Sequence, residues 1–107
     1  MSSGGYSGPE PSSGTSRCGS LEFTTTVSSV DPDVLPSLEV GTVGQLIIQP
    51  EGELRRIVVV LADGAILGTI VEEWAQLIEC MAAGYGFVAT VLSVGPPVKV
   101  RVQGEGN

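Results

Sequence analysis

Four cations are the side chains of this sequence best suited to bind a charged ligand. They lie in two predicted strands, at Arg55, Arg56, Lys99 and Arg101. Lys99 and Arg101 are two residues apart and so point to one face of a strand. If the two arginines lay beside them, the strip could neutralise a few phosphate groups. The alternative is ordinary cross-strand ion pairing, with acidic partners at Glu22, Glu51 or Glu53. Twelve acidic against five basic residues, a net charge of −7, oppose phosphate binding.

Two aromatic side chains stand in a motif that also concerns nucleic acids. Residues 84–88 read GYGFV, which resembles the RNP1 strand of the RNA-recognition motif. The resemblance implies that Tyr85 and Phe87 stack on splayed bases. Ala83 stands where RNP1 has a basic residue, and Thr90 where it has an aromatic one. The alternative is that Gly84 ends a helix while both rings face the core.

A longer stretch, residues 40–102, suggests a small barrel. A glycine-initiated strand precedes a hairpin with Asp63-Gly64 and Leu67-Gly68, and a helix and a closing strand follow. This element order resembles HIRAN domains, small barrels that grip single-stranded DNA ends on DNA-remodelling enzymes. The PEGE sequence of residues 50–53 replaces that family's Asn/Asp-rich segment, and no DNA-contacting residues can be carried over. The resemblance therefore implies a fold more than an activity.

The residue types that enzymes need are scarce. The chain has no histidine, which removes the commonest general base and metal ligand. Asp31 and Asp33 form only a fragment of a calcium loop, and capping of a short turn accounts for Asp31. The helix carboxylates Glu72, Glu73 and Glu79 are expected on a solvated face. We predict no catalytic residue, no metal and no cofactor, hence no enzyme.

The two cysteines, Cys18 and Cys80, are too few for a zinc site. They could pair with each other, but only in an oxidising compartment. The N-terminus has neither a basic nor an apolar signal region, which predicts a reduced, cytoplasmic protein. The longest uncharged apolar run, residues 57–62, is far below the ~20 residues of a membrane span, so no membrane partner is expected.

The chain divides into a predicted tail and one domain. Residues 1–19 are rich in Gly, Ser and Pro and read as a flexible tail, while residues 20–107 form one small β-rich domain. Alternation predicts strands over 21–27 and 98–103, and apolar runs between turn signals predict strands over 45–49, 54–62, 65–68 and 85–94. Residues 57–61 form an unbroken apolar run without alternation, which predicts a strand covered on both faces. Asp63-Gly64 predicts a two-residue type I′ hairpin. The predicted fold is α+β and mostly β: a small curved antiparallel sheet or partly open barrel of about six strands with one amphipathic helix.

The helix is predicted over about 70–83. Thr69 and Glu72 form a capping box at its start, and Gly84 supplies the C-terminal cap. The apolar stripe of the helix contains Trp74, Leu77, Ile78 and Met81. We expect it to pack against Ile57, Val59, Phe87 and Val91.

These features favour a non-enzymatic interaction module that binds a protein partner or self-associates through exposed strand edges. The alternative is a single-stranded nucleic-acid (end) binder. That binder would use a face made of Tyr85, Phe87, Arg55, Arg56, Lys99 and Arg101. Exposed rings beside the cations would favour the nucleic-acid binder, and buried rings the interaction module.

Overall fold

The computed structural model describes residues 18–105 and shows an α+β fold made mostly of strands. The elements are β1 (Glu22–Thr26), β2 (Val43–Glu51), β3 (Leu54–Val60), β4 (Ile66–Ile70), α1 (Trp74–Ala82), β5 (Phe87–Ser93) and β6 (Lys99–Gly104). All six strands belong to one antiparallel sheet that curls into a half-barrel. The predicted fold class is thereby confirmed. The only α-helix in the described part of the chain is too short to cross a membrane.

The sheet has the strand order β1-β6-β5-β2-β3-β4, so its first and last strands can meet as it curls. They meet just after β1, where Ser28 and Thr69 exchange two backbone hydrogen bonds of 2.8 Å. The Asp31 N–H donates to the Leu67 carbonyl nearby, at 2.9 Å. A Cβ on Gly68 would lie 2.7 Å from the Ser28 carbonyl oxygen. Glycine at this position therefore permits the close backbone approach that joins the two edges.

The core lies inside the curl and follows the alternation of the strands. In β6 the inward-facing Val100 and Val102 are fully buried, while Lys99 and Arg101 are exposed. In β3 the consecutive residues Ile57, Val58 and Val59 are all buried, as the unbroken apolar run predicts. From α1, Leu77 and Ile78 join this core, together with Phe87 and Val91 of β5.

The helix begins at Trp74, later than its capping signal predicts. Thr69 and Ile70 are the last residues of β4, where Thr69 is bonded to Ser28 and Ile70 pairs with Ile57. The helix is instead preceded by Glu73 in a left-handed conformation (φ 58°) with no side-chain cap. Long-range strand pairing thus overrides the local capping box, which does not form.

The late start also changes the position of Trp74. Its side chain is 38 % exposed and lies outside the core, whereas the apolar stripe predicts it inside the core. Its indole Nε1–H donates a 3.0 Å hydrogen bond to the Arg55 carbonyl at the start of β3. Met81, at the other end of the stripe, packs against the core while partly buried. The core assignment therefore holds for Leu77 and Ile78 and is wrong for Trp74.

The C-terminal end of the helix matches its prediction. Gly84 has φ +103° and its N–H donates to the Met81 carbonyl at 3.0 Å. The Tyr85 N–H donates to the Cys80 carbonyl at 3.1 Å. These two bonds are those of a Schellman cap, in which a left-handed glycine satisfies the last helical carbonyls.

The hairpin between β3 and β4 is longer than predicted. Leu61 pairs with Ala65, and the Gly64 N–H returns to the Leu61 carbonyl at 2.9 Å. Gly64 has φ +91°, whereas Asp63 has no positive φ and its carboxylate accepts the Ala65 N–H. The loop is therefore a three-residue loop with a left-handed glycine, because a type I′ turn needs two successive positive φ angles.

The two cysteines are joined: Cys18 and Cys80 form a disulfide, and both are fully buried. The bond links the turn before β1 to α1. Of the predicted tail, residues 1–17 lie outside the described residues, whereas Cys18 is part of the core. The described domain therefore begins at this cysteine.

Candidate functional site

The four candidate cations do not form one strip. Arg101 of β6 is paired with Thr90 of β5, and Thr90 is paired with Val43 of β2. Arg56 of β3 is paired with Gln49, six residues farther along β2. Three strand spacings and six residues along the strand therefore separate the two arginines, roughly 20–25 Å between backbones. Lys99 lies farther still along β6. A phosphate backbone would meet two separate pairs of cations.

Each pair of cations also has local contacts that explain its position. The Arg56 guanidinium donates two hydrogen bonds to the Gln49 side-chain oxygen, at 2.9 and 3.0 Å. Arg101 lies 3.9 Å from the Glu22 carboxylate, one of the ion pairs the sequence predicts. Arg55, which is exposed, offers its carbonyl to Trp74. The arrangement is that of surface charges on different parts of the sheet.

The two candidate aromatic residues differ in how deeply they are buried. Phe87 is 1 % exposed and belongs to the core, so its ring is not available for stacking on a base. Tyr85 precedes β5 and is partly buried against that core. The glycine that begins the RNP1-like motif is the helix cap. The motif therefore serves to end a helix and begin a strand.

The carboxylates singled out in the sequence have structural partners or are exposed. Asp31 accepts the Asp33 N–H at 2.9 Å, which caps the turn as predicted. Glu72, Glu73 and Glu79 are exposed. Within residues 18–105 no group of three His, Cys, Asp or Glu side chains could hold a metal ion.

The most distinctive feature is an unpaired strand edge that the sequence did not locate. The Val27 N–H donates to the Val98 carbonyl and continues the register in which β1 pairs with β6. Because hydrogen bonding alternates along an antiparallel strand, the odd-numbered residues of β1 bond to β6. The backbone groups of the even-numbered residues therefore point the other way. We call this the free edge of β1, formed by Glu22, Thr24 and Thr26. Ser28, the next even residue, uses both of its groups to bond Thr69.

The free edge opens where the sheet stops closing on itself. Continuing the Ser28–Thr69 pairing by two residues would place Thr26 opposite Val71, but Val71 lies beyond the end of β4 and is 60 % exposed. Within the described residues, no strand lies beside the free edge. The one bond recorded there is a long 3.5 Å contact from the Thr25 hydroxyl to the Thr26 carbonyl. Six backbone groups are thus open to an added strand.

A second opening lies between β2 and β5. These strands pair only over Val43–Gln45 of β2, and beyond that point they diverge. The divergence leaves a groove of about 370 Å³, which is open to solvent. Its lining includes Leu46 and Ile48 of β2, Phe87 of β5, Met81 of α1, and Gln45, Tyr85 and Glu105 near the rim.

One carboxylate is held at the rim of this groove. The Gln45 side-chain amide donates a 2.6 Å hydrogen bond to Glu105 Oε2, and the Glu105 N–H donates to the Gly86 carbonyl at 3.0 Å. The other oxygen, Oε1, lies over Gly86, where a Cβ would collide with it. The carboxylate therefore lies beside the groove, with its Oε2 bonded to Gln45.

Comparison with known proteins adds no relatives. No protein-family model matches the chain, and neither a curated protein nor a solved structure matches it at a significant level. The resemblances to HIRAN domains and to the RNP1 strand therefore stay predictions from the sequence.

Proposed function

We propose that this chain is a non-enzymatic interaction module that binds an extended segment of a protein, from a partner or from a second copy of itself, by strand addition at the free edge of β1. The unpaired backbone groups of Glu22, Thr24 and Thr26 carry the proposal. Strand addition needs a row of unpaired N–H and C=O groups on a sheet edge, and natural proteins usually cover or charge such edges. Here the residues are mostly threonines, which favour strands.

One further observation favours a protein partner, and two others bear on catalysis and on the compartment. Phe87 is buried and the cations are dispersed, which favours protein over nucleic acid. The chain has no histidine, and both cysteines are used in a disulfide, so no thiolate remains as a nucleophile. The buried disulfide favours an oxidising compartment over the cytoplasm that the sequence predicts.

Backbone direction gives a sharp test of the free edge. Proline at Thr24 removes an N–H that points away from β6, and proline is tolerated where the missing N–H faces outward. Thr24→Pro should therefore keep the fold and block strand addition. Thr24→Val, which keeps the N–H and the β-branched shape, is the matched control. Thr25→Pro removes an N–H that bonds β6 and should lower stability.

The probe is a fluorescent peptide with the sequence of residues 21–27, measured by fluorescence polarisation, together with light scattering of the full chain. We expect the peptide to bind wild type and Thr24→Val. Thr24→Pro should weaken binding by at least about tenfold while keeping the circular dichroism spectrum. Equal binding by Thr24→Pro would overturn the proposal, as would a failure of the wild-type chain both to bind the peptide and to self-associate.

A further inference from the structure

We infer that the groove between β2 and β5 is a second binding site, which takes a cationic side chain of an extended protein segment. This site is separate from the free edge of β1 and goes beyond strand addition there. Its three parts are a carboxylate bonded to Gln45, a wall formed by an aromatic and a thioether side chain, and a short unpaired stretch of β2 backbone.

The carboxylate is that of Glu105. Gln45 bonds only its Oε2, and no donor in residues 18–105 bonds its Oε1. The Gln45 bond orients the Glu105 side chain, and the backbone bond from the Glu105 N–H to Gly86 holds this part of the chain beside the groove. A guanidinium or ammonium group supplies the donors that such an oxygen lacks.

The wall of the groove suits the stem of a basic side chain. Tyr85 and Met81 line the groove, and both are partly buried, which leaves part of each side chain accessible. A cation over the face of an aromatic ring is attracted to it, and the methylene stem of Arg or Lys packs on apolar surface. No described hydrogen bond uses the Tyr85 hydroxyl, so it can turn towards a ligand.

The backbone of β2 explains why the segment should be extended. Glu51 and Leu54 close a two-residue hairpin, so the odd-numbered residues of β2 bond to β3. The N–H and C=O of Ile48 therefore face the groove, beyond the last pair with β5. Pro50 has no N–H to offer, which limits main-chain pairing to the region of Ile48. Selectivity would thus rest on the cationic side chain.

The charge of the whole chain points to the same class of ligand. With a net charge of −7 it attracts basic segments and repels acidic ones over the Debye length. This attraction draws a basic peptide to any acidic part of the surface, not only to the groove. The test must therefore distinguish the groove from the overall charge.

The experiment uses two capped, fluorescent pentapeptides, one alternating arginine with valine and the other alternating glutamate with valine. Binding to the full chain is measured by fluorescence polarisation at two salt concentrations. Only the arginine peptide should bind. Glu105→Gln keeps the side-chain shape and should weaken binding by roughly tenfold, because a charged hydrogen bond is lost. Tyr85→Leu should weaken it by a few fold.

Glu79→Gln is the matched control, since it makes the same change in net charge on the exposed face of α1, outside the groove. It should leave affinity within about twofold. Gly86→Ala places a methyl group where the Glu105 carboxylate lies and should weaken binding as Glu105→Gln does. Three results would overturn the inference. The first is no binding of the arginine peptide at about 1 mM, a concentration at which weak peptide sites are occupied. The others are equal binding of the glutamate peptide and an equal loss of affinity in Glu79→Gln and Glu105→Gln. Thr24→Pro should not affect this binding, so failure at one site is distinguishable from failure at the other.

Discussion

Reduction of the Cys18–Cys80 disulfide should remove a large part of the stability of the domain. The two cysteines are 62 residues apart in sequence. The chain-entropy relation for a loop of that length gives about 4 kcal/mol at 25 °C. A domain of this size has about 5–15 kcal/mol in total. We therefore expect a fall in the melting temperature of about 15–30 °C, since each kcal/mol is worth about 4–8 °C in a small domain.

The measurement is urea and thermal unfolding followed by circular dichroism, with and without a phosphine reductant. The control is the double variant Cys18→Ala/Cys80→Ala, which removes the cross-link and also two buried sulfur atoms. Reduced wild type keeps those atoms. The difference in unfolding free energy between the reduced wild type and the double variant therefore measures the packing of the sulfur atoms without the cross-link. A reduced chain within 0.5 kcal/mol of the oxidised one, a margin roughly equal to that of a surface substitution, would refute the reasoning.

Four substitutions test other parts of the fold by chemical unfolding. Gly68→Ala forces a methyl group against the Ser28 carbonyl and should destabilise by about 1–3 kcal/mol; an unchanged midpoint would mean that the edges do not meet there. Phe87→Ala should cost about 3–5 kcal/mol, because the ring is wholly buried. Trp74→Ala should cost only about 1–2 kcal/mol, and a loss as large as that of Phe87→Ala would place the indole in the core after all. Arg101→Gln should change stability by less than about 0.5 kcal/mol, since its ion pair is exposed; a larger loss would argue against a surface role.

Local signals predicted the strands and the end of the helix. Alternation in β6 identifies Val100 and Val102 as inward-facing, and Gly84 marks the helix cap because only a left-handed residue closes that motif easily. The start of the helix was not predictable from neighbours in sequence. Thr69 is taken into β4 by its bonds to Ser28, a partner 41 residues away whose pairing no local pattern encodes.

The candidate sites depend even more on pairing between distant strands. Whether the cations lie together is decided by strand order, which separates β6 from β3 by two other strands. The free edge of β1 likewise follows from where the sheet stops closing, between Ser28 and Thr26. Glu105 could have been noticed as a charge near the chain end, but its place beside Gln45 requires the fold. Sequence patterns give the direction of side chains, whereas neighbours across a curled sheet come from tertiary structure.

The pairing of β1 with β6 has a consequence for the newly made chain. Glu22 leaves the ribosome 77 residues before Lys99, the first residue of the strand that pairs with β1. At ordinary rates of synthesis this delay lasts about 4–15 s. Throughout that time the edge of β1 that pairs with β6 lacks its native neighbour, and Cys80 is made 62 residues after Cys18. The nascent chain thus keeps both edges of β1 unpaired until the last strand of the sheet has been made.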